Sequence, residues 1–137
     1  MIAQLSGASV AGLLLAHLAG DYVLQSHWMA TRKTQAWVPA IAHAAVYTAC
    51  YLPVTRSVLG LAVIGGTHAV IDRYRLARQL VWVKNHLAPA SARPPVWAAC
   101  SATGYSPEFP TGLAIGLLIA ADNTLHLIIN TLAVMWL

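Results

Sequence analysis

Charge is what this chain has least of. Charged residues make up 9% of its 137 positions, with eight Lys and Arg against four Asp and Glu. Soluble domains carry roughly 25% charge to keep their surface wet. So few charges exclude a soluble enzyme of this size, and the high apolar content excludes disorder. Cysteine is nearly absent: Cys50 and Cys100 form no CxxC pair, which excludes a disulfide framework and a zinc ribbon. No Lys or Arg precedes Arg32, so no cleaved signal peptide is expected. There is no glycine-rich phosphate loop, no Ser-His-Asp order and no nucleic-acid motif. The net charge of +4 therefore speaks of orientation in a bilayer and contact with anionic lipid, not of nucleic acid.

Hydrophobic residues, in contrast, make up 58% of the chain, and the mean hydropathy is +0.63. The expectation is an all-α integral membrane protein, residues 1–137 forming a single four-span transmembrane domain. A span needs about 20 mostly apolar residues. The candidates are Gly7 to Met29, Trp37 to Val54, Ser57 to Ile71 running on through Asp72 and Arg73, and Thr111 to Leu137. Short links predict an antiparallel four-helix bundle. Seven of the eight basic residues lie in the first and third links, and only Arg56 lies in the second. That bias puts the two basic links in the cytoplasm of a bacterial inner membrane and both termini outside. Trp28, Trp37 and Trp136 are interface anchors, and Cys50 and Cys100 fall too far apart to pair. Residues 73–87 place Leu76, Leu80, Val83 and Leu87 at helical spacing beside Arg73, Arg75, Arg78 and Lys84. This predicts a basic amphipathic helix on the anionic inner leaflet, with Leu76, Leu80 and Val83 toward lipid or the bundle base. Pro89, Pro94, Pro95, Pro107 and Pro110 predict an irregular cytoplasmic loop over 88–110.

The informative feature is where the few polar residues sit inside the apolar stretches. His17 and Asp21, His68 and Asp72, and Asp122 and His126 are each four apart, hence on one helix face. Random placement gives about 0.35 such pairs, and three are present. His43, with Tyr47 and Tyr51, adds a stripe from the second span. Acids in hydrocarbon cost about 2.5–3.5 kcal/mol each on insertion scales and need compensation. The imidazoles and carboxylates of His17, Asp21, His43, His68, Asp72, Asp122 and His126 suit one or two divalent ions: zinc, manganese or magnesium. Gln25, Asn123, Asn130 and Tyr47 are natural partners behind those ligands. The competing reading makes the pairs helix-to-helix glue. Gly12, Ala16 and Gly20, and likewise Gly112 and Gly116, form small-residue stripes for close packing within the bundle or between copies of the chain. His27 and His86 read as surface residues.

At these residues the chain resembles a family of small four-span membrane proteins of bacteria and their phages, domain of unknown function 3307. The resemblance rests on His17-Leu-Ala-Gly-Asp21-Tyr-Val-Leu-Gln25, on His43 with Tyr47, on His68-Ala-Val-Ile-Asp72-Arg-Tyr-Arg-Leu-Ala-Arg78 and on Asp122-Asn-Thr-Leu-His126. Asn123 stands where the pattern suggests Gln. The loop with Ala102-Thr-Gly-Tyr-Ser-Pro107 is similar to versions carried by phages of actinobacteria. The motif style is also similar to that of membrane-bound metal-dependent hydrolases.

Three functions fit these observations. The first is a metal-dependent hydrolase of a lipid or head-group substrate, with Asp21 or Asp122 as general base. The second is transport of protons or metal ions along the same stripe. The third is a phage-encoded membrane effector that excludes competing phages without chemistry.

Overall fold

The structure is a computed structural model that describes residues 7–137, with side chains from Ser9 onward. The N-terminus, expected outside, lies beyond the described residues. The described residues are helical with no strand, and they divide into two compact units. The first holds residues 7–74 and 126–137; the second holds 75–125.

The first unit begins with α1, Gly7–Leu18, which continues into a π-helical turn, Ala19–Val23. The turn closes where Leu24 N–H donates to the Ala19 carbonyl at 2.9 Å. Such π turns are uncommon and concentrate at functional sites. Ser26 then caps α2, His27–Arg32, accepting the Met29 N–H. Helix α3, Trp37–Cys50, tolerates Pro39 because the N–H groups of a first turn have no partner inside the helix. It gives way to a turn containing Pro53. Helix α4, Val58–Tyr74, opens with the Ser57 hydroxyl accepting the Gly60 N–H at 3.1 Å. The last three turns of α7, Thr111–Trp136, complete this unit. Leu13, Ala16, Tyr47, Tyr51, Ile64 and Ala133 form its apolar cluster.

The expected four-span bundle is not supported by the helix lengths. Among the described residues only α7, with 26 residues and a mean window hydropathy of 1.7, is long and apolar enough to cross a membrane. Helix α3 has 14 residues and α4 has 17, so α3 reaches about 21 Å and α4 about 26 Å at 1.5 Å per residue. Apolar composition alone marked Leu52 and Val54 as span, but the turn around Pro53 ends the helix first.

The second unit corrects two expectations. The amphipathic helix does not run on from α4, because Arg75 adopts a left-handed conformation, φ 53°. Helix α5 occupies Leu76–Asn85. Its covered stripe is Ala77 and Val81, not Leu76 and Leu80. Leu80, Val83 and Leu87 are exposed. The proline-rich segment lacks regular structure over most of its length but contains two short helical turns. It forms a 3-10 turn at Ala90–Ala92 and α6 at Trp97–Cys100, and it folds against α5. Trp82 Nε1 donates to the Pro95 carbonyl at 3.0 Å, and Arg78 Nη1 donates to the Ser101 carbonyl at 2.6 Å. Gly104 has φ 85°, and a Cβ there would run into the Arg78 carbonyl. Cys100 is buried, which pushes its thiol pKa up and leaves it inert. Gly112 and Gly116 pack against nothing in the described chain.

Candidate metal centre

Each polar side chain of the stripe reaches the interior for a local reason. His17 ends the regular part of α1, and Asp21 sits in the middle of the π turn one turn further on. Gly20 lets that turn approach α3, since a Cβ at Gly20 would stand 2.6 Å from Tyr47 Cδ2. His43 and Tyr47 share one face of α3, and His68 and Asp72 share one face of α4. His126 and Asn130 project from α7. His17, His43 and His68 are fully buried, His126 is 1% exposed, and Asp21 and Asp72 are each 8% exposed.

Three donor atoms, from Asp21, His43 and His68, lie close enough together to hold one ion, and Asp72 Oδ2 stands beside the two imidazoles. His43 Nε2 and His68 Nε2 are 2.9 Å apart. Asp21 Oδ1 is 3.2 Å from His43 Nε2 and 3.4 Å from His68 Nε2. Asp72 Oδ2 is 3.4 Å from His43 Nε2 and 3.3 Å from His68 Nε2. Ligands about 2.0–2.1 Å from a tetrahedral ion lie about 3.3–3.4 Å from one another. The separations among Asp21, His43 and His68 are near that figure, with the two imidazoles slightly closer. Asp21 Oδ1 accepts no well-formed hydrogen bond among the described residues. Buried lone pairs facing one another at these distances need a proton or a cation between them.

The remaining stripe residues stand around this set. The other oxygen of Asp72, Oδ1, is 3.5 Å from His126 Nε2. His17 Nδ1 is 3.6 Å from Asp21 Oδ2, but its shorter contact is with the Tyr47 hydroxyl at 2.8 Å. Asn130 Nδ2 donates to the hydroxyls of Tyr47 at 2.6 Å and Tyr51 at 2.7 Å. Tyr47 and Asn130 thus stand behind His17, as expected, with Tyr51 as an added member. Gln25 does not reach a site carboxylate; its amide donates to the Asp21 backbone carbonyl at 2.8 Å, where it secures the π turn. Asp122 is half-buried on α7, one turn before His126, and Asn123 follows it; both belong to the second unit.

Sequence spacing missed one participant. Lys33 Nζ is 2.6 Å from Asp72 Oδ2. Lys33 belongs to no helical stripe, so the only hint was that a buried carboxylate calls for a cation. Of the expected membrane-surface residues, Arg73 donates to the Thr34 carbonyl at 2.7 Å and lies over Trp37. Arg75 is exposed, and Lys84 meets the Tyr105 hydroxyl at 3.3 Å. Arg78 departs from expectation: it is half-buried and spent on the Ser101 carbonyl. His27 is exposed, while His86 is half-covered, with Nδ1 2.9 Å from the Trp82 carbonyl.

The model of the family described as "Protein of unknown function (DUF3307)" matches residues 10–90. The chain belongs to the DUF3307 family. That match contains His17, Asp21, Lys33, His43, Tyr47, His68 and Asp72, while His126 and Asn130 lie beyond it. No curated protein and no solved structure matches the chain.

Proposed function

We propose that this DUF3307 protein holds a divalent metal ion in the first unit, ligated by His43 Nε2, His68 Nε2, Asp21 Oδ1 and Asp72 Oδ2, within a helical body embedded in a membrane. The observation that carries the metal reading is the set of five donor separations between 2.9 and 3.4 Å. Two imidazoles and two carboxylates suit zinc or manganese better than magnesium, which prefers an all-oxygen shell. Independent helix–helix hydrogen bonds would not draw donors from three segments to within 3.4 Å of one another. Asp21 then serves as a ligand, and the hydrolase reading depends on whether one coordination position is exchangeable.

The membrane reading rests on inversion of polarity. In the first unit the interior carries histidines, aspartates and Asn130, while Val10, Leu15, Val23, Val38, Ile41, Val58, Leu59, Ile128 and Leu132 face outward. A water-soluble body of this size buries such residues and exposes the others. Lipid accepts the apolar outside and makes a polar interior costly unless it is compensated. Exposed Trp28 and Trp37 suit an interfacial belt.

The test is elemental analysis of the detergent-purified full chain. One equivalent of a divalent transition metal per chain is expected, and none in His68→Ala. Metal-free wild-type protein that takes up no zinc, manganese or cobalt would leave protons as the compensating species and overturn the metal reading. Flotation with liposomes tests the membrane reading separately: recovery in the aqueous fraction without detergent overturns it.

A further inference from the structure

The four donors are not equivalent. Among the described residues, the ion-pair contacts of Asp21 are with histidines: His17, His43 and His68. Asp72 has a full cation as well, because Lys33 Nζ lies 2.6 Å from Oδ2, the same oxygen that points at the two imidazoles. Lys33 sits at the C-terminal end of α2, where the chain turns into α3, and its side chain is 18% exposed against 7% for Asp72. The ammonium and the metal therefore claim one oxygen. An ion pair this short, with the carboxylate buried, holds its two charges strongly. Electron density drawn toward Lys33 is density withdrawn from a metal bond, so Asp72 is the weakest of the four ligands.

We infer that Lys33 holds Asp72 as the exchangeable ligand, leaving Asp21, His43 and His68 as the fixed set and one coordination position that a small anion or water can enter. This rests on the metal reading above. Four equally firm protein ligands would make a closed, structural centre; three with an open position make the pattern of a centre that does chemistry. Lys33 touches Asp72 and not the metal, so it is a positioning residue. When an incoming ligand displaces Asp72, the carboxylate remains anchored to the ammonium at the edge of the coordination sphere. Removing the ammonium lets Asp72 close on the metal.

The experiment uses the full chain in detergent micelles, loaded with cobalt(II) and titrated with azide, with the visible d–d absorption as readout. Wild type is expected to bind cobalt and change its spectrum on adding azide. Lys33→Met is expected to bind cobalt about tenfold more tightly, to show the spectrum of a closed four-ligand site, and to lose the azide response. Lys33→Arg is expected to restore that response. An azide response in Lys33→Met equal to wild type, or no response in wild type, overturns the inference and leaves the metal reading standing. Wild-type protein that binds no cobalt removes the metal reading, and the inference with it. Circular dichroism of each variant separates a changed centre from a failure to fold.

Discussion

The two units of this chain are built on opposite plans. The first buries its polar groups beside a small apolar cluster and leaves many large apolar side chains exposed. The second buries a small apolar stripe, Ala77, Val81 and Cys100, and spends its polar side chains on the carbonyls of the loop that covers it. In the second unit each bond satisfies a local backbone group, so losing one costs about that bond. In the first, on the proposed metal reading, His43, His68, Asp21 and Asp72 share one ion, so losing one member affects all. The difference teaches where function resides: buried polar groups that do not satisfy one another locally are retained for what they hold.

The largest expected effect breaks this contrast directly. Asp21→Ala or His68→Ala should lower metal affinity by at least about 100-fold, measured by competition with a metal-sensitive dye. Arg78→Ala, which removes the bond to the Ser101 carbonyl, should leave metal affinity unchanged. Equal losses for both classes of variant would show that metal uptake reports general folding and not a site.

A second comparison uses two glycines. At Gly20 an added Cβ would lie 2.6 Å from Tyr47 Cδ2 and 3.1 Å from Tyr47 Cα. Gly20→Ala must push the π turn away from α3, at a cost of about 1–3 kcal/mol, and it moves Asp21 off His43 as it does so. Gly104→Ala is strained by its φ of 85° and by the Arg78 carbonyl, at a similar cost. Thermal unfolding should therefore fall for both, while metal affinity falls only for Gly20→Ala.

Much of the first plan was legible as spacing. The four-residue intervals His17–Asp21 and His68–Asp72 fix which face of a helix is polar, whatever surrounds it, and the structure turns those faces inward. Helix ends were harder, because hydropathy does not register the turn that Pro53 introduces; of the four stretches expected to span, only α7 among the described residues is long and apolar enough to do so. Lys33 was invisible because its pairing with Asp72 joins residues 39 positions apart without periodicity. In the second unit the spacing marked Leu80 and Val83, which are exposed, while the covered positions are the smaller Ala77 and Val81. The π turn left no signal beyond Gly20 itself.

A third prediction probes the support behind the centre. Tyr47→Phe deletes the hydroxyl that contacts His17 Nδ1 at 2.8 Å and accepts from Asn130 at 2.6 Å. Leaving buried partners short of a bond costs about 1–3 kcal/mol. His17 contacts Asp21 only at 3.6 Å, so its loosening should reach the metal weakly. Metal affinity is expected to fall by about tenfold or less, well short of the loss in His68→Ala. A loss as large as that one would promote Tyr47 and His17 from support to the ligand shell.

The smallest effect belongs to the second unit and tests whether its bonds act one at a time. Trp82 Nε1 donates to the Pro95 carbonyl at 3.0 Å, and the Trp82 ring meets Trp97 edge-on with centroids 5.9 Å apart. Trp82→Phe removes the donor and keeps an aromatic ring against Trp97, so the change is confined to one neutral hydrogen bond, about 0.5–1.5 kcal/mol. The loop from Pro89 to Pro110 is then freer to open, and opening governs proteolysis when closing is fast. Chymotryptic cleavage after Trp97 or Tyr105 should accelerate by about two- to tenfold at a protease concentration that leaves the wild-type loop largely intact. Metal affinity should not change. A coupled fall in metal affinity would mean that the second unit helps to hold the centre, and the two plans would then have to be read as one.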